Sequence, residues 1–569
     1  MTKTARYLLN AGTALGFAGI LTAPYIAAAP YGFDPVLGGH LADVLPFPLY
    51  PPQSPYLWAR QAEWIPGSLF ASIVTSAGSL ALALGCSLAS TTFKNKRKPE
   101  EFGSDGWGTL DGARSIGLVE ESNPGPESIV LARLGNRFIC INDNRNGLVT
   151  GPARSGKTTT ALITTGLAWR GSMLFYTSGA MDVYNATSGW RSTFSDIYVL
   201  DLGRVISCYN PLDSVRIGTH NEVTDAEIIA SAFPPEPASK ARMPWWPIQG
   251  TRVLAAAILH IMYTQPPGRR NLGSVYKFLH QSDKKVIEAF STSKHSYVRE
   301  TAYGIPEGDN NPIITAKSYL RPWSNPVLDQ VTSKSDFTPS SLVTKERPAT
   351  VYIHIPEDQR EYLLPVLQVF VTCITKALMF SETHMRDGKE KRHKVVLGLD
   401  EFHTFYVEGF DATLALMPKY GVRALLLTQS VKSLTELYGR NQTVSTNCQV
   451  QFRLPTNDKD EAEEVSMMVG EFTEIRHTEA RSGKIFDILW SGKQRSEQEV
   501  RRRIIDPGAV RSMERGTGVL LSTSSLAFKA KTLWDYEKRF PFSERILPPY
   551  EPEASDLIER PKQYVMGDF

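Results

Sequence analysis

The sequence lacks several features that would point directly to a function. Its 569 residues include only five cysteines, and the formal net charge is +3. The cysteines are scattered, without a C-x-x-C pair or a nearby histidine cluster, which argues against a disulfide framework and against structural zinc. Because the chain has no overall basic field, any contact with nucleic acid must be local. No repeat of fixed period is found, and the length allows about three or four domains.

Two uncharged apolar runs lie in the first ninety residues. Each exceeds the roughly 20 residues that a membrane-spanning helix needs. Basic residues precede the first run and follow the second, whereas the Pro-rich connection holds only Arg60. The positive-inside rule therefore predicts a membrane anchor over residues 1–93, with transmembrane helices at about 7–29 and 66–90 and both ends in the cytoplasm. The alternatives are a cleaved signal peptide for the first run and a buried core helix for the second.

A glycine-rich phosphate-binding pattern, G-x-x-x-x-G-K-[ST], follows a short apolar strand and opens an apolar helix. The glycines let the backbone approach the phosphates, whose charge the helix N-terminus favours. Lys157 is expected to reach the β- and γ-phosphates of ATP, and the Thr158 hydroxyl to bind Mg²⁺. The alternative is a glycine-rich turn without a function. The predicted nucleotide-binding residues are Gly151, Pro152, Ala153, Arg154, Ser155, Gly156, Lys157, Thr158 and Thr159.

Strand and helix patterns alternate after this loop. Buried strands are predicted at 172–176, 196–200 and 350–355, and helices at 182–191 and 362–379. This order predicts an α/β fold with a parallel sheet covered by helices on both faces. From 221 to 328 the β signal fades, which predicts an inserted all-α domain. The α/β domain then comprises residues 94–220 and 329–545, and a tail follows at 546–569.

A second apolar run ends in two adjacent carboxylates, Asp400 and Glu401. About 240 residues after a phosphate-binding loop, this pattern is typical of a Walker B strand. Asp400 is then expected to bind the same Mg²⁺ as Thr158, and Glu401 to orient the attacking water. An ordinary strand that ends in an acidic turn is the alternative.

Three further residues are candidates for the reaction. Gln429 closes the next predicted strand, where it is placed to sense the γ-phosphate. Lys419 and Arg423 lie between the two strands, and either is a candidate for a cation that acts on the nucleotide of a neighbouring subunit. Such a cation is worth roughly 10³–10⁵ in rate. The alternatives are a polar residue that ends a strand and two solvated surface charges.

The order of these features resembles the TraG/TraD-type coupling proteins of type IV secretion and conjugation, over nearly the whole chain. The motifs that carry the resemblance, besides the two N-terminal spans, are Gly-Pro-x-Arg-Ser-Gly-Lys at 151–157, Tyr209-Asn-Pro-Leu-Asp213, Leu399-Asp-Glu-Phe402, Gln429-Ser430 with Leu437-Tyr-Gly439, Asn447-Cys448, Gly470-Glu-Phe-Thr473 and Arg503-Ile-Ile-Asp-Pro507.

The resemblance implies a RecA-like motor domain with an all-α domain, assembled as a homo-hexamer at the bacterial inner membrane. It implies ATP and Mg²⁺ as cofactors. The expected partners are a relaxase with single-stranded DNA or effector proteins, inner-membrane components of the secretion channel, and membrane lipid. It also implies that Gln429 couples hydrolysis to movement.

The chain departs from the family pattern at two places. Residues 177–182 lack the acidic-Pro-Lys-Gly-Glu turn of many members, and Lys419 stands where the family's trans-acting arginine is expected. Two other functions stay open at this point. One is an FtsK-type duplex DNA translocase. The sequence has only two predicted spans and no long Pro/Gln-rich linker, which argues against this function. The other is a docking receptor that binds ATP but moves nothing.

Overall fold

In the computed structural model the chain forms two compact units, Met1–Glu100 and Glu101–Phe569. The structure describes residues 3–31, 51–61, 67–92, 106–120, 123–179, 181–233, 245–306, 308, 310–480, 494–523, 525–533 and 542–552. Much of the predicted loop between the two spans, and most of the predicted tail, lie outside these ranges.

The first unit consists of helices α1 (Lys3–Ala28), α2 (Ser54–Gln61) and α3 (Gly67–Thr92). Small residues let α1 and α3 approach closely. A Cβ atom built on Gly16 would lie 2.9 Å from Ala83 Cβ, and one on Gly19 would lie 2.5 Å from Ser79 Cβ. Such small-residue contacts are typical of helix pairs in membranes, where close backbone packing replaces hydrophobic burial.

One stretch of this unit, Gly67–Cys86, has the length and mean hydropathy (1.8) of a membrane span, whereas the apolar stretch Gly12–Ala28 of α1 is shorter. A third apolar stretch, Glu357–Leu378, has similar length and composition, but 72% of it is buried in the second unit, as in a core helix. Both predicted spans therefore fall on helices, and their insertion into a membrane stays a prediction.

The second unit is built on a twelve-stranded mixed sheet and a separate two-stranded ribbon. Its strands are β1 (Val119–Glu120), β2 (Ile129–Leu134), β3 (Arg137–Ile141), β4 (Gly147–Thr150), β5 (Ser172–Ser178), β6 (Asp196–Asp201), β7 (Ala349–Ile355), β8 (Val395–Leu399), β9 (Val422–Thr428), β10 (Val450–Arg453), β11 (Glu471–Ala480), β12 (Gln494–Arg503), β13 (Thr517–Ser522) and β14 (Phe528–Lys531).

The sheet has the order β1-β3-β2-β14-β13-β10-β4-β9-β8-β5-β7-β6. From β10 to β6 every pairing is parallel, as predicted, and from β10 to β1 every pairing is antiparallel. The antiparallel half was not predicted. Because parallel strands end at the same edge, the carboxyl ends of β4, β9, β8, β5 and β7 lie side by side in that order.

Helices cover both faces of the sheet. The α-helices of this unit are α4 (Leu110–Ser115), α5 (Thr164–Ala168), α6 (Asp182–Ser192), α7 (Glu222–Ser231), α8 (Trp245–Thr264), α9 (Leu272–Leu279), α10 (Asp283–Ser291), α11 (Ser296–Tyr303), α12 (Asn311–Tyr319), α13 (Pro326–Val331), α14 (Pro339–Thr344), α15 (Arg360–Leu378), α16 (Phe410–Leu416), α17 (Val431–Tyr438), α18 (Lys459–Val469) and α19 (Pro507–Arg511).

The described residues form three hydrophobic clusters, and alternation along the strands separates the two largest of them. In β4, Leu148 points into one core and its neighbour Val149 into the other. A strand that is apolar on both faces is what a doubly covered parallel sheet requires. Because the apolar residues of β4 are buried on both faces of the sheet, they fix the position of the phosphate-binding loop at the end of this strand.

Between β6 and β7, the described residues form helices and turns without a strand. Helices α7 to α14 occupy this segment, and their buried side chains belong to the same core as one face of the sheet. Since the two share a core, the separation of an all-α domain at 221–328 stays a prediction, as do the other domain boundaries.

Candidate nucleotide-binding site

Two residues of the loop after β4 have left-handed backbone conformations. Arg154 has φ = 60° and Gly156 has φ = 86°. A Cβ atom at Gly151 would lie 2.8 Å from Leu454 Cβ, so a larger residue does not fit there. The helix that follows begins at Thr158 and is wound as a π-helix over Thr158–Ile163 before α5 continues it. This is the strand, loop and helix geometry that exposes backbone N–H groups to a phosphate.

Lys157 lies inside this loop. Its Nζ donates hydrogen bonds to the carbonyl oxygens of Gly151 (2.7 Å) and Pro152 (3.1 Å), and the residue is only 5% exposed. Burial lowers the pKa of Lys157, and the nearby carboxylates of Glu401 and Asp400 oppose this effect. The ammonium group is therefore held against the loop, close to where the phosphates of a nucleotide would lie.

The two residues predicted to bind Mg²⁺ are in direct contact. Thr158 Oγ1 donates a 2.7 Å hydrogen bond to Asp400 Oδ2, although 242 residues separate them in the sequence. Asp400 is 7% exposed, and burial raises its pKa. A hydroxyl and a carboxylate are oxygen ligands of the kind that Mg²⁺ prefers, so the residues fit the ion.

Glu401 has a constrained backbone and a defined carboxylate. Its φ of 46° is unusual for a residue with a side chain, and such strain is concentrated at functional sites. Its N–H donates to Asp400 Oδ1 (2.9 Å). Gln429 Nε2 donates to Glu401 Oε2 (3.3 Å), and His403 Nε2 lies 3.3 Å from the same oxygen. Burial lowers the pKa of His403, which favours the neutral imidazole beside Glu401.

A cavity of about 320 Å³ opens at this edge of the sheet. It is lined by Thr158, Thr177, Asp182, Glu357, Arg360, Asp400, Glu401 and Gln429. The sequence did not single out His403, Glu357 or Arg360. Glu357 and Arg360 follow β7, a predicted strand, so their position after a parallel strand was a usable signal. A larger cavity of about 470 Å³ lies beside α8, α9 and α13 and contains none of the predicted site residues.

Lys419 and Arg423 lie away from this cavity. Lys419 is exposed and pairs with Glu382 at 3.2 Å. Arg423, in contrast, is 1% exposed at the amino-terminal end of β9. Its guanidinium donates to the carbonyl oxygens of Asp143 (2.6 Å) and Glu127 (2.7 Å). A buried side chain bonded in this way does not fit the predicted role in a neighbouring subunit, which leaves Lys419 as the candidate.

Strand order, loop and paired carboxylates together define an α/β protein with the fold of P-loop ATPases. Comparison with known proteins identifies the family within this class. Residues 115–557 match the model of the family described as Type IV secretory system Conjugative DNA transfer, and the chain belongs to that family. The predicted family is thereby confirmed. The duplex translocase and the docking receptor are not favoured.

Relatives and solved structures agree with this assignment. The chain is 25% identical to the conjugal transfer protein TraG of Escherichia coli over 562 residues, covering 89% of this chain and 85% of TraG. It is 25% identical over 416 residues to VirD4 of Agrobacterium fabrum, covering 69% of this chain and 60% of VirD4.

The fold is also similar to that of the bacterial conjugative coupling protein TrwB, with a TM-score of 0.57 and 14% identity. The match covers 77% of this chain and 96% of the TrwB chain. TrwB has further been solved with the non-hydrolysable ATP analogue ADPNP, and with ADP and Mg²⁺.

Proposed function

We propose that this protein is the coupling ATPase of a type IV secretion or conjugation system. In this role it recruits relaxase-bound single-stranded DNA, effector proteins, or both, and couples ATP hydrolysis to their delivery to the secretion channel. The observation that carries the proposal is the hydrogen bond between Thr158 and Asp400, which joins the phosphate-binding loop to the acidic strand with Glu401 and Gln429 beside it.

Each residue at the site has a distinct task. The backbone of residues 151–159 binds the phosphates, and Lys157 contacts the β- and γ-phosphates. Thr158 and Asp400 would hold Mg²⁺, which when bound neutralises charge on the phosphate oxygens. Glu401 accepts the proton of the attacking water, and its fixed carboxylate orients that water. Gln429 contacts Glu401 and so senses whether the γ-phosphate is present.

Membership of the family supports a proposal for the setting of the reaction. We place the protein in the bacterial inner membrane, with α1 and α3 as spans in contact with membrane lipid and both termini in the cytoplasm. It works as a homo-hexamer in which Lys419 acts on the nucleotide of the neighbouring subunit. Its partners are the relaxase or the effectors and the inner-membrane components of the channel.

The test is ATP turnover by the full chain in detergent or vesicles, with and without single-stranded DNA. The wild type should bind ATP with Mg²⁺ and hydrolyse it faster with DNA. Lys157→Ala should abolish both binding and turnover. Lys394→Ala is the matched control, because Lys394 is partly exposed and pairs with Glu127 at 2.6 Å, far from the phosphates. Equal turnover in wild type and Lys157→Ala would refute the proposal.

A further inference from the structure

Arg360 is a charged residue that its helix does not favour. It is the first residue of α15, a helix of 19 residues. A helix N-terminus carries partial positive charge and disfavours a cation. The three residues before it, Glu357–Gln359, form a short 3₁₀ turn that directly follows β7 and Pro356. That turn supplies two acidic residues, Glu357 and Asp358, at the start of the helix, so the side chain of Arg360 lies next to negative charge.

The fold brings Arg360 into the candidate site. β7 is separated from β8 only by β5, which corresponds to about 10 Å between the two strand ends. Arg360 lines the same cavity as Thr158, Asp400 and Glu401. Its charge also acts on His403, whose Nε2 lies 3.3 Å from Glu401 Oε2. Arg360 therefore belongs to the wall of the cavity in which the γ-phosphate and the attacking water are expected.

The hydrogen-bonding capacity of Arg360 is little used. Its Nη1 lies 3.4 Å from Glu357 Oε1, and no other hydrogen-bond acceptor contacts it within the part of the chain that the structure describes. Charge-assisted pairs are normally 2.7–2.9 Å long, and a guanidinium has five N–H donors. The side chain of Arg360 is 22% exposed, against 63% for Glu357. Arg360 is thus held at the wall of the cavity with most of its donors uncommitted.

The cavity is otherwise acidic. Asp182, Glu357, Asp400 and Glu401 line it, and among the described residues of its lining Arg360 is the one that is basic. A triphosphate among these carboxylates gains from positive charge beyond that of Lys157 and of the Mg²⁺ that Thr158 and Asp400 would hold. A guanidinium binds phosphate oxygens in a bidentate manner, which suits this purpose better than a lysine does.

We propose that Arg360 binds the γ-phosphate of ATP within its own subunit, opposite Lys157, and thereby makes the site prefer triphosphate over diphosphate. The inference rests on the proposed ATPase function. In this role Arg360 determines the specificity for triphosphate over diphosphate, and the segment after β7 takes part in nucleotide binding.

Calorimetric titration of the full chain with Mg²⁺ and either ADPNP or ADP tests this proposal. Arg360→Ala should weaken ADPNP binding about tenfold and ADP binding less than twofold, because only the triphosphate reaches the guanidinium. Arg360→Lys should recover part of the ADPNP affinity, since the charge is kept and the fork is lost. Arg321→Ala is the matched control, because Arg321 is exposed and contacts Tyr362; it should leave both affinities unchanged.

Two results would overturn the inference about Arg360. One is an equal loss of affinity for ADPNP and ADP in both Arg360 variants, which indicates a general effect on the site. The other is unchanged affinity for both nucleotides. Failure of the proposed function looks different, because the wild type itself would then bind neither nucleotide or would bind ATP without hydrolysing it.

Discussion

Two pairs of basic residues at opposite edges of the parallel sheet have different surroundings. At the amino-terminal edge, Arg191 and Arg423 are completely buried and bonded to protein acceptors. Arg191 donates to the carbonyl oxygens of Trp169 and Gly171, and the Arg423 guanidinium lies 4.4 Å from the centre of the Trp169 ring. At the carboxyl-terminal edge, Lys157 donates to two carbonyl oxygens of its own loop, and Arg360 has a single long contact among the residues that the structure describes.

This difference in hydrogen bonding distinguishes basic residues that stabilise the fold from basic residues that can bind a ligand. A buried cation is stable only where acceptors satisfy it, and at the amino-terminal edge backbone carbonyls do so. Burial lowers the pKa of Arg423 to about 10, which still leaves it charged at neutral pH. At the carboxyl-terminal edge, the backbone of Glu401 is strained and most N–H donors of Arg360 are uncommitted, so a ligand can bind there. Four substitutions test this contrast.

The largest effect is expected at the carboxyl-terminal edge. Glu401→Gln removes the carboxylate that orients water but keeps a side chain that can contact Gln429. ATP turnover should fall about 10²–10⁴-fold, the usual contribution of a general base, while ADPNP affinity stays within about threefold of wild type. Steady-state turnover and titration measure the two quantities. A variant that hydrolyses ATP at the wild-type rate would exclude Glu401 as the base.

A smaller loss of turnover is expected for Lys419→Ala. Lysine lacks the bidentate fork of arginine, so the loss should stay below the roughly 10³-fold at the low end for an arginine finger. Because the cation acts across subunits, mixing Lys419→Ala with Glu401→Gln protein should restore part of the turnover. Mixed assemblies no more active than the two variants separately would argue against action in trans.

At the amino-terminal edge the effect falls on stability. Arg423→Ala leaves the carbonyl groups of Asp143 and Glu127 without their donor, each at a cost of about 1–3 kcal/mol. Thermal unfolding should occur at clearly lower temperature, with unchanged nucleotide affinity in the folded fraction. Lys419→Ala is the control, since its exposed ion pair contributes at most about 1 kcal/mol. Equal melting temperatures of Arg423→Ala and Lys419→Ala would contradict this account.

The smallest effect concerns pH. His354 Nδ1 lies 3.2 Å from Asp201 Oδ1, and this contact with Asp201 raises the pKa of His354. This contact stabilises the folded state fully below the pKa of His354 in the unfolded chain, about 6.5, and the stabilisation is lost as pH rises through the pKa of His354 in the folded protein. The wild type should therefore lose about 1 kcal/mol on that rise, and His354→Gln should not. Unfolding at pH 6 and pH 8 measures this; identical pH dependence in both proteins would exclude His354.

Local patterns predicted much of the site but not its surroundings. The strands at 172–178, 196–201 and 349–355 were predicted within about two residues, because apolar runs mark them in any context. Arg423 and Arg360 show the limit of such patterns. Arg360 follows a predicted parallel strand, which indicates the edge of the sheet where it lies. Nothing in the residues around Arg423 indicates that it is buried among carbonyl groups, and nothing around Arg360 indicates that most of its donors stay uncommitted.

The sequence by itself determined the phosphate-binding loop, the acidic strand, the apolar helices and the family, since each depends on residues that are close together in the chain. Only the tertiary structure decided the strand order, the antiparallel half of the sheet and the meeting of Thr158 with Asp400 across 242 residues. It also decided which basic side chains form hydrogen bonds with protein acceptors. The physical reason is that burial and partners are properties of packing between distant segments, and a linear pattern does not record them.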